Sequence, residues 1–149
     1  MKIFISSDHA GFELKAHLVS FLQMSGDDVV DLGPTQLNVT DDYPDTIAPV
    51  AKEISAGRAD EMGIVIGHSG QGEALVANKF KNVRAGIYYG GPIEILKLLR
   101  EHNNANVLSL GAHFLSKEEA EVAVQTFLQT AFSGDERHVR RIEKVHDLE

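Results

Sequence analysis

The chain has 149 residues, 43% of them hydrophobic, and a formal net charge of -8 at pH 7. That is enough apolar material for one domain spanning 1–149 with its own core, while clustered Lys and Arg are too few to hold a nucleic-acid backbone, so no such partner is expected. The absence of cysteine excludes a disulfide framework and thiolate chemistry, and the opening Met1-Lys2-Ile3-Phe4-Ile5-Ser6 is too short and too soon polar for a signal peptide or membrane span, so a cytoplasmic protein is expected.

Residues 2–6 read as a strand, and 12–22 as an amphipathic helix with Phe12, Leu14, Leu18, Phe21 and Leu22 on or near one face, stopped at Ser25-Gly26. Residues 28–32 form a second strand. After Gly33-Pro34 a polar connection leads to Tyr43-Pro44, where proline suits the first turn of a helix carrying Ile47, Val50, Ala51 and Ile54. Residues 62–66 make strand three, and a helix is predicted over 74–80. Residues 83–87 are strand four, Gly90-Gly91-Pro92 opens a helix with Ile93, Leu96, Leu98 and Leu99, and 106–110 are strand five. Ser116 with Glu119 is a capping-box signature ahead of another helix, and Ser133-Gly134 precedes a basic C-terminal one.

Short, nearly all-apolar strands alternating with helices predict a doubly wound, Rossmann-like α/β/α sandwich with a five-stranded parallel sheet and a C-terminal helical arm at about 134–149. Ligands of such sheets sit outside the carboxyl ends of the strands. The segments there are Asp8-His9, residues 67–73, Tyr88 and Gly111-Ala112-His113.

Among them Gly67-His68-Ser69-Gly70-Gln71-Gly72-Glu73 is the richest in chemistry. Its glycines let main-chain amides converge on an anion or a developing oxyanion, the start of the following helix adds to that field, and Glu73 supplies a base. A dinucleotide fingerprint fails because Leu75 stands where the third glycine belongs. A P-loop fails because Glu73-Ala74 replaces Lys-Ser/Thr. A hydrolase nucleophile elbow is broken by Gln71, which leaves serine hydrolysis as the weaker competing reading.

Each residue also has a plainer reading. Glu73 is either a base or a first-turn acid facing the helix dipole; Asp8-His9 either bind ligand or cap the first helix. Ser69 reads as a turn residue whose hydroxyl still faces a substrate oxygen. Arg137 and Arg141, four apart on one helix face, either grip one anion or lie solvated. The seven histidines show no ligand spacing, so no metal is expected.

Taken together, Ser7-Asp8-His9-Ala10-Gly11-Phe12, Asp42-Tyr43-Pro44, the 67–73 loop, Ala77-Asn78-Lys79-Phe80, His102-Asn103-Asn104-Ala105-Asn106-Val107-Leu108 and Arg137-His138 with Arg141 resemble the ribose-5-phosphate isomerase B and galactose-6-phosphate isomerase family over nearly the whole chain. The resemblance implies aldose–ketose isomerisation of a sugar phosphate without metal or cofactor, in homodimers or tetramers with shared sites. It implies that His102 opens the sugar ring with Asp8 near the ring oxygen. Glu73 then moves the proton, as in the branch that uses Glu, whereas the other branch carries a Cys at the position of Gly67. It further implies that Ser69 and the amides of Gly70, Gln71 and Gly72 hold the enediolate, that His9, Arg137 and Arg141 contact phosphate, and that Tyr43 and Asn103 contact the sugar. Two positions depart from the pattern: His68 stands where Gly is usual and His113 where many members carry a phosphate-binding Arg, so both line the expected pocket with altered chemistry. Ribose 5-phosphate is the expected substrate; allose or galactose 6-phosphate, or binding without catalysis, are the alternatives.

His102 ends a helix that runs into strand five, which sets it near the amino edge of the sheet, away from the loops at the carboxyl edge. The expectation is therefore that a two-fold partner delivers it, with the C-terminal arm touching that partner.

Overall fold

A computed structural model describes residues 1–57 and 60–149. Five strands, β1 (Lys2–Ser7), β2 (Asp28–Asp31), β3 (Glu61–Gly67), β4 (Ala85–Tyr88) and β5 (Val107–Gly111), form one sheet in the order β2-β1-β3-β5-β4 with every neighbouring pair parallel. Helices α1 (Phe12–Met24), α2 (Tyr43–Ala56), α3 (Gln71–Ala77), α4 (Glu94–Asn103), α5 (Lys117–Gln129) and α6 (Glu136–His146) make the crossovers and the C-terminal arm.

Because side chains alternate across a strand, each central strand supplies both cores. Ile3, Ile5, Ile64, Ile66, Leu108 and Leu110 face α1 and α5, where Leu14, Leu18, Leu22, Ala123, Val124 and Phe127 meet them. Phe4, Val65 and Val107 face α2 and α3, packing on Ile47, Val50, Ala51, Ile54 and Ala77. Phe127 is fully buried; truncating a core aromatic of this kind costs about 3–5 kcal/mol. Gly63 brings α2 close to the sheet, since a Cβ there would lie 2.9 Å from a Val107 methyl and 3.0 Å from one of Val50.

The predicted elements all appear, with two displaced near the functional residues: strand four, expected over 83–87, spans Ala85–Tyr88, and the helix after β3 moves as a whole. The helix expected over 74–80 runs instead over Gln71–Ala77. Asn78 ends it by turning its amide onto the edge strand, donating to the Ala85 carbonyl at 3.0 Å and accepting from the Ala85 amide at 2.8 Å. At seven residues this helix supplies less dipole than a longer one, so the glycine loop depends more on its own amides. The capping box of Ser116 and Glu119 is present at the start of α5.

The chain leaves β1 toward β2 and then crosses back to β3, so the connections after β1 and β3 diverge and open a crevice at their carboxyl ends. Later β5 inserts between β3 and β4, bringing residues 111–113 beside the loop that follows β3. Among the described residues no helix is long and apolar enough to cross a membrane.

Candidate active site

At the carboxyl edge, the loop after β3 is fastened on several sides. The β3–β5 ladder continues beyond the strands, with the Ala112 amide donating to the Gly67 carbonyl at 2.8 Å and the His113 amide to that of His68 at 3.1 Å. Gly70 takes a left-handed φ of 76°, and a Cβ on it would lie 3.0 Å from the Leu110 carbonyl carbon and 3.2 Å from the Gly111 nitrogen, so conformation and space both require glycine. Ser109, fully buried in β5, donates its hydroxyl to the Gly70 carbonyl at 2.6 Å. In sequence Ser109 reads as strand core, and only its polarity within an apolar run signals this role. Ser69 Oγ accepts from the Gln71 amide at 3.4 Å, the turn its plainer reading describes.

Glu73, in the first turn of α3, is only 4% exposed. Its carboxylate rests on the Cα of Gly67, where any Cβ would collide with Oε1 and Cδ. Burial pushes its pKa above the usual carboxylate range; its own main-chain amide pulls it down, and the negative charge of nearby Asp8 pushes it up. Asp8 is itself buried and accepts from the Gly11 amide at 3.0 Å. The start of α1 is therefore held by this turn, while Gly11 occupies the capping position without a side-chain cap. Tyr43 closes the other side: a Cβ on Gly72 would lie 2.9 Å from its Cζ.

His9 donates from Nδ1 to Asp41 Oδ1 at 2.6 Å, and its main-chain amide approaches the same oxygen at 3.2 Å. The hydrogen bond to Asp41 holds the imidazole above its ordinary pKa, opposed next by desolvation and assisted by the charges of Asp8 and Asp41. Asp41 carries no signal in the sequence, because nothing in the polar connection after Pro34 ties it to a histidine 32 residues upstream. His68 and His113, the two departures from the expected pattern, stack on each other with centroids 4.3 Å apart and planes 18° from parallel, and Phe114 stands edge-on to His113 at 5.0 Å.

The remaining predicted residues gather elsewhere. His102 and Asn103 end α4, and with His138 and Arg141 of α6 they line a cavity of about 620 Å³ beside Arg84 and Ala105, at the amino ends of β4 and β5. The rings of His102 and His138 are stacked. His138 is 3% exposed, and its buried Nε2 makes no hydrogen bond, lying 3.9 Å from the Asp135 carboxylate. Burial, followed by the charges of His102, Arg137 and Arg141 against that of Asp135, lowers its pKa. The two arginines expected to act together part company: Arg141 lines the cavity, whereas Arg137 is exposed and turns to Asp135 at 3.5 Å.

One chain therefore assembles two clusters. Asp8, His9, Tyr43, Ser69, Glu73 and His113 lie at the carboxyl edge, and His102, Asn103 and Arg141 at the amino edge. Four residue steps of β5, at about 3.3 Å each, separate the two edges by about 13 Å along the strand alone.

A family model described as Ribose/Galactose Isomerase matches residues 3–145. Ribose-5-phosphate isomerase B of Mycolicibacterium paratuberculosis is 37% identical over 149 residues, covering 100% of this chain and 92% of the relative. The crystal structure of ribose-5-phosphate isomerase B from Mycoplasma genitalium with bound ribulose-5-phosphate superposes with a TM-score of 0.94 at 38% identity, covering 99% of this chain and 95% of that one. The enzyme of the same name from Clostridium thermocellum gives 0.92 at 37% identity, covering 99% and 97%.

Proposed function

Because the chain belongs to the ribose/galactose isomerase family, we propose that its two clusters are halves of one active site, completed between two copies of the chain. The activity is aldose–ketose isomerisation of a sugar phosphate, ribose 5-phosphate to ribulose 5-phosphate. The observation that carries the chemistry is the Glu73 carboxylate, buried on Gly67 at the end of a sheet strand and held above its ordinary pKa.

A carbon acid gives up its proton only to a well-placed base, and a carboxylate whose pKa is raised by burial is the stronger base for it. Glu73 takes the proton from C2 of the open-chain aldose. The C2 electron pair becomes the C1–C2 double bond and the C1 carbonyl oxygen becomes the enediolate oxygen. The O2 hydroxyl proton then passes to O1, and Glu73 returns its proton to C1, leaving a carbonyl at C2. Ser69 and the amides of Gly70, Gln71 and Gly72 steady the enediolate, as fixed donors do for an oxyanion. His102 of the partner subunit, with Asp8, opens the ring beforehand. His9, His68, His113, Arg137 and Arg141 receive the phosphate end; Tyr43 and Asn103 receive the sugar hydroxyls.

Under this reading the subunits pair two-fold, as a dimer or a dimer doubled into a tetramer, and α6 is the arm of a single 1–149 domain that reaches the partner. No cofactor takes part, and the enzyme works in the cytoplasm. The test is proton exchange. Incubation with ribose 5-phosphate in deuterated water should yield ribulose 5-phosphate labelled at C1 in proportion to solvent exchange at Glu73, with allose and galactose 6-phosphates as the competing substrates in the same screen. Tight phosphosugar binding with neither turnover nor label would identify a binding module and overturn the proposal.

A further inference from the structure

We propose that Asp41 is a positioning residue that fixes His9 so that its Nε2 meets the substrate phosphate as a cationic donor; this rests on the phosphate role given to His9 above. The two residues are 32 apart in sequence, yet one carboxylate oxygen, Asp41 Oδ1, receives both the His9 ring nitrogen at 2.6 Å and the His9 main-chain amide at 3.2 Å. Two bonds to one oxygen set the ring's angle as well as its place. A carboxylate only accepts, so Nδ1 must carry the proton, which leaves Nε2 as the nitrogen available to a ligand.

The carboxylate is itself held. The Asp41 side chain is 9% exposed and its Oδ2 is buried with no hydrogen-bond partner, an arrangement that costs folding free energy and that a simple surface contact would not require. The connection that carries it is anchored at its start by the buried Lys15, whose Nζ donates to Asp31 Oδ2 at 2.6 Å and to the Pro34 carbonyl at 3.0 Å. His9, by contrast, is 39% exposed and open to a ligand. The charged groups acting on it are Asp41 from the 33–42 connection and Asp8 from its own loop, and both favour the imidazolium. A phosphate dianion gains from Nε2 only when that nitrogen carries a proton, so the Asp41 charge extends His9 binding to higher pH. Outer partners of metal-bound histidines commonly contribute about tenfold or more, and an effect of that order is expected for a phosphate-bound one.

The experiment compares the full-length protein with Asp41→Asn, which keeps an oxygen for Nδ1–H and removes the charge. KM for ribose 5-phosphate, and Ki for inorganic phosphate, should rise about tenfold at pH 8 and less than about twofold at pH 6, with kcat nearly unchanged and Asp41→Glu recovering part of the loss. A KM raised equally at both pH values, or unchanged at both, would overturn the proposal. Proton NMR titration of His9 supplies an arm independent of catalysis: its midpoint should lie above that of an ordinary histidine in the native protein and fall in Asp41→Asn. A native midpoint at or below the ordinary value refutes the proposal even where the variant does not fold. Absence of isomerisation by the native protein would sink the functional reading, whereas the His9 titration would still decide the part played by Asp41.

Discussion

The imidazoles of His102 and His138 lie face to face, with centroids 4.2 Å apart and planes 14° from parallel. One ring belongs to the last turn of α4 and the other to the first turn of α6, so the stack joins the arm to the helix that carries the histidine proposed to open the ring. Protonating both faces at this distance would set like charges against each other in a site where His138 is already shielded from water.

The stack therefore has a pH signature. The His138 pKa is lowered in the folded state. Above the ordinary value of about 6.5 the ring is neutral in folded and unfolded chains alike and carries no penalty. As pH falls through that value, the unfolded chain takes up a proton that the folded one resists, so stability drops over the window below it. His138→Phe keeps a flat ring without a titrating nitrogen. Its urea midpoint should fall less than that of the native protein between pH 7.5 and pH 5.

Glu73 is expected to trade stability for chemistry. A carboxyl whose pKa is raised on folding contributes its full stability below the unfolded value and loses it as pH rises through the folded one. Glu73→Gln should accordingly raise the urea midpoint at pH 7 and leave it nearly unchanged at pH 4. The same substitution should lower kcat by about 10²–10⁴-fold. Loss of activity with loss of stability at pH 7 would count against a base whose charge is penalised by burial.

The proposed sharing of sites predicts rescue between inactive chains. Neither Glu73→Gln nor His102→Gln should isomerise alone. Refolded together in equal amounts, half of the dimers are mixed, and each mixed dimer keeps one site with both residues intact, so activity should recover to about one quarter of native. No recovery, with mixed dimers demonstrated by mass, would place Glu73 and His102 of the same chain in one site.

The fold was readable because buried parallel strands are mostly apolar runs: 62–66 stands out on that ground alone, and 106–110 does so despite Asn106 and Ser109. The position of Glu73 was readable because it follows a glycine loop at a strand's carboxyl end, and the base role proposed for it rests on that place. What local sequence does not encode is pairing across the chain. Asp41 meets His9 because β2, which leads into its connection, pairs with β1, and His68 meets His113 because β5 pairs with β3. Helical spacing correctly put Arg137 and Arg141 on one face, but it does not reveal that Asp135 draws the first away from the cavity. The early end of α3 follows from an asparagine imitating a strand, a tertiary event with no periodic trace.

The insertion of β5 between β3 and β4 also constrains how the chain assembles as it leaves the ribosome. The unit formed by β1, β2 and β3 can close early, but β4 emerges with its sheet neighbour still unmade and must wait as an unpaired hairpin-length segment. Only when residues 107–111 slot into the gap does the sheet become continuous, drawing the end of α4 into register. Nascent chains stalled before β5 would expose the edges of β3 and β4 that it covers to chaperones or to one another.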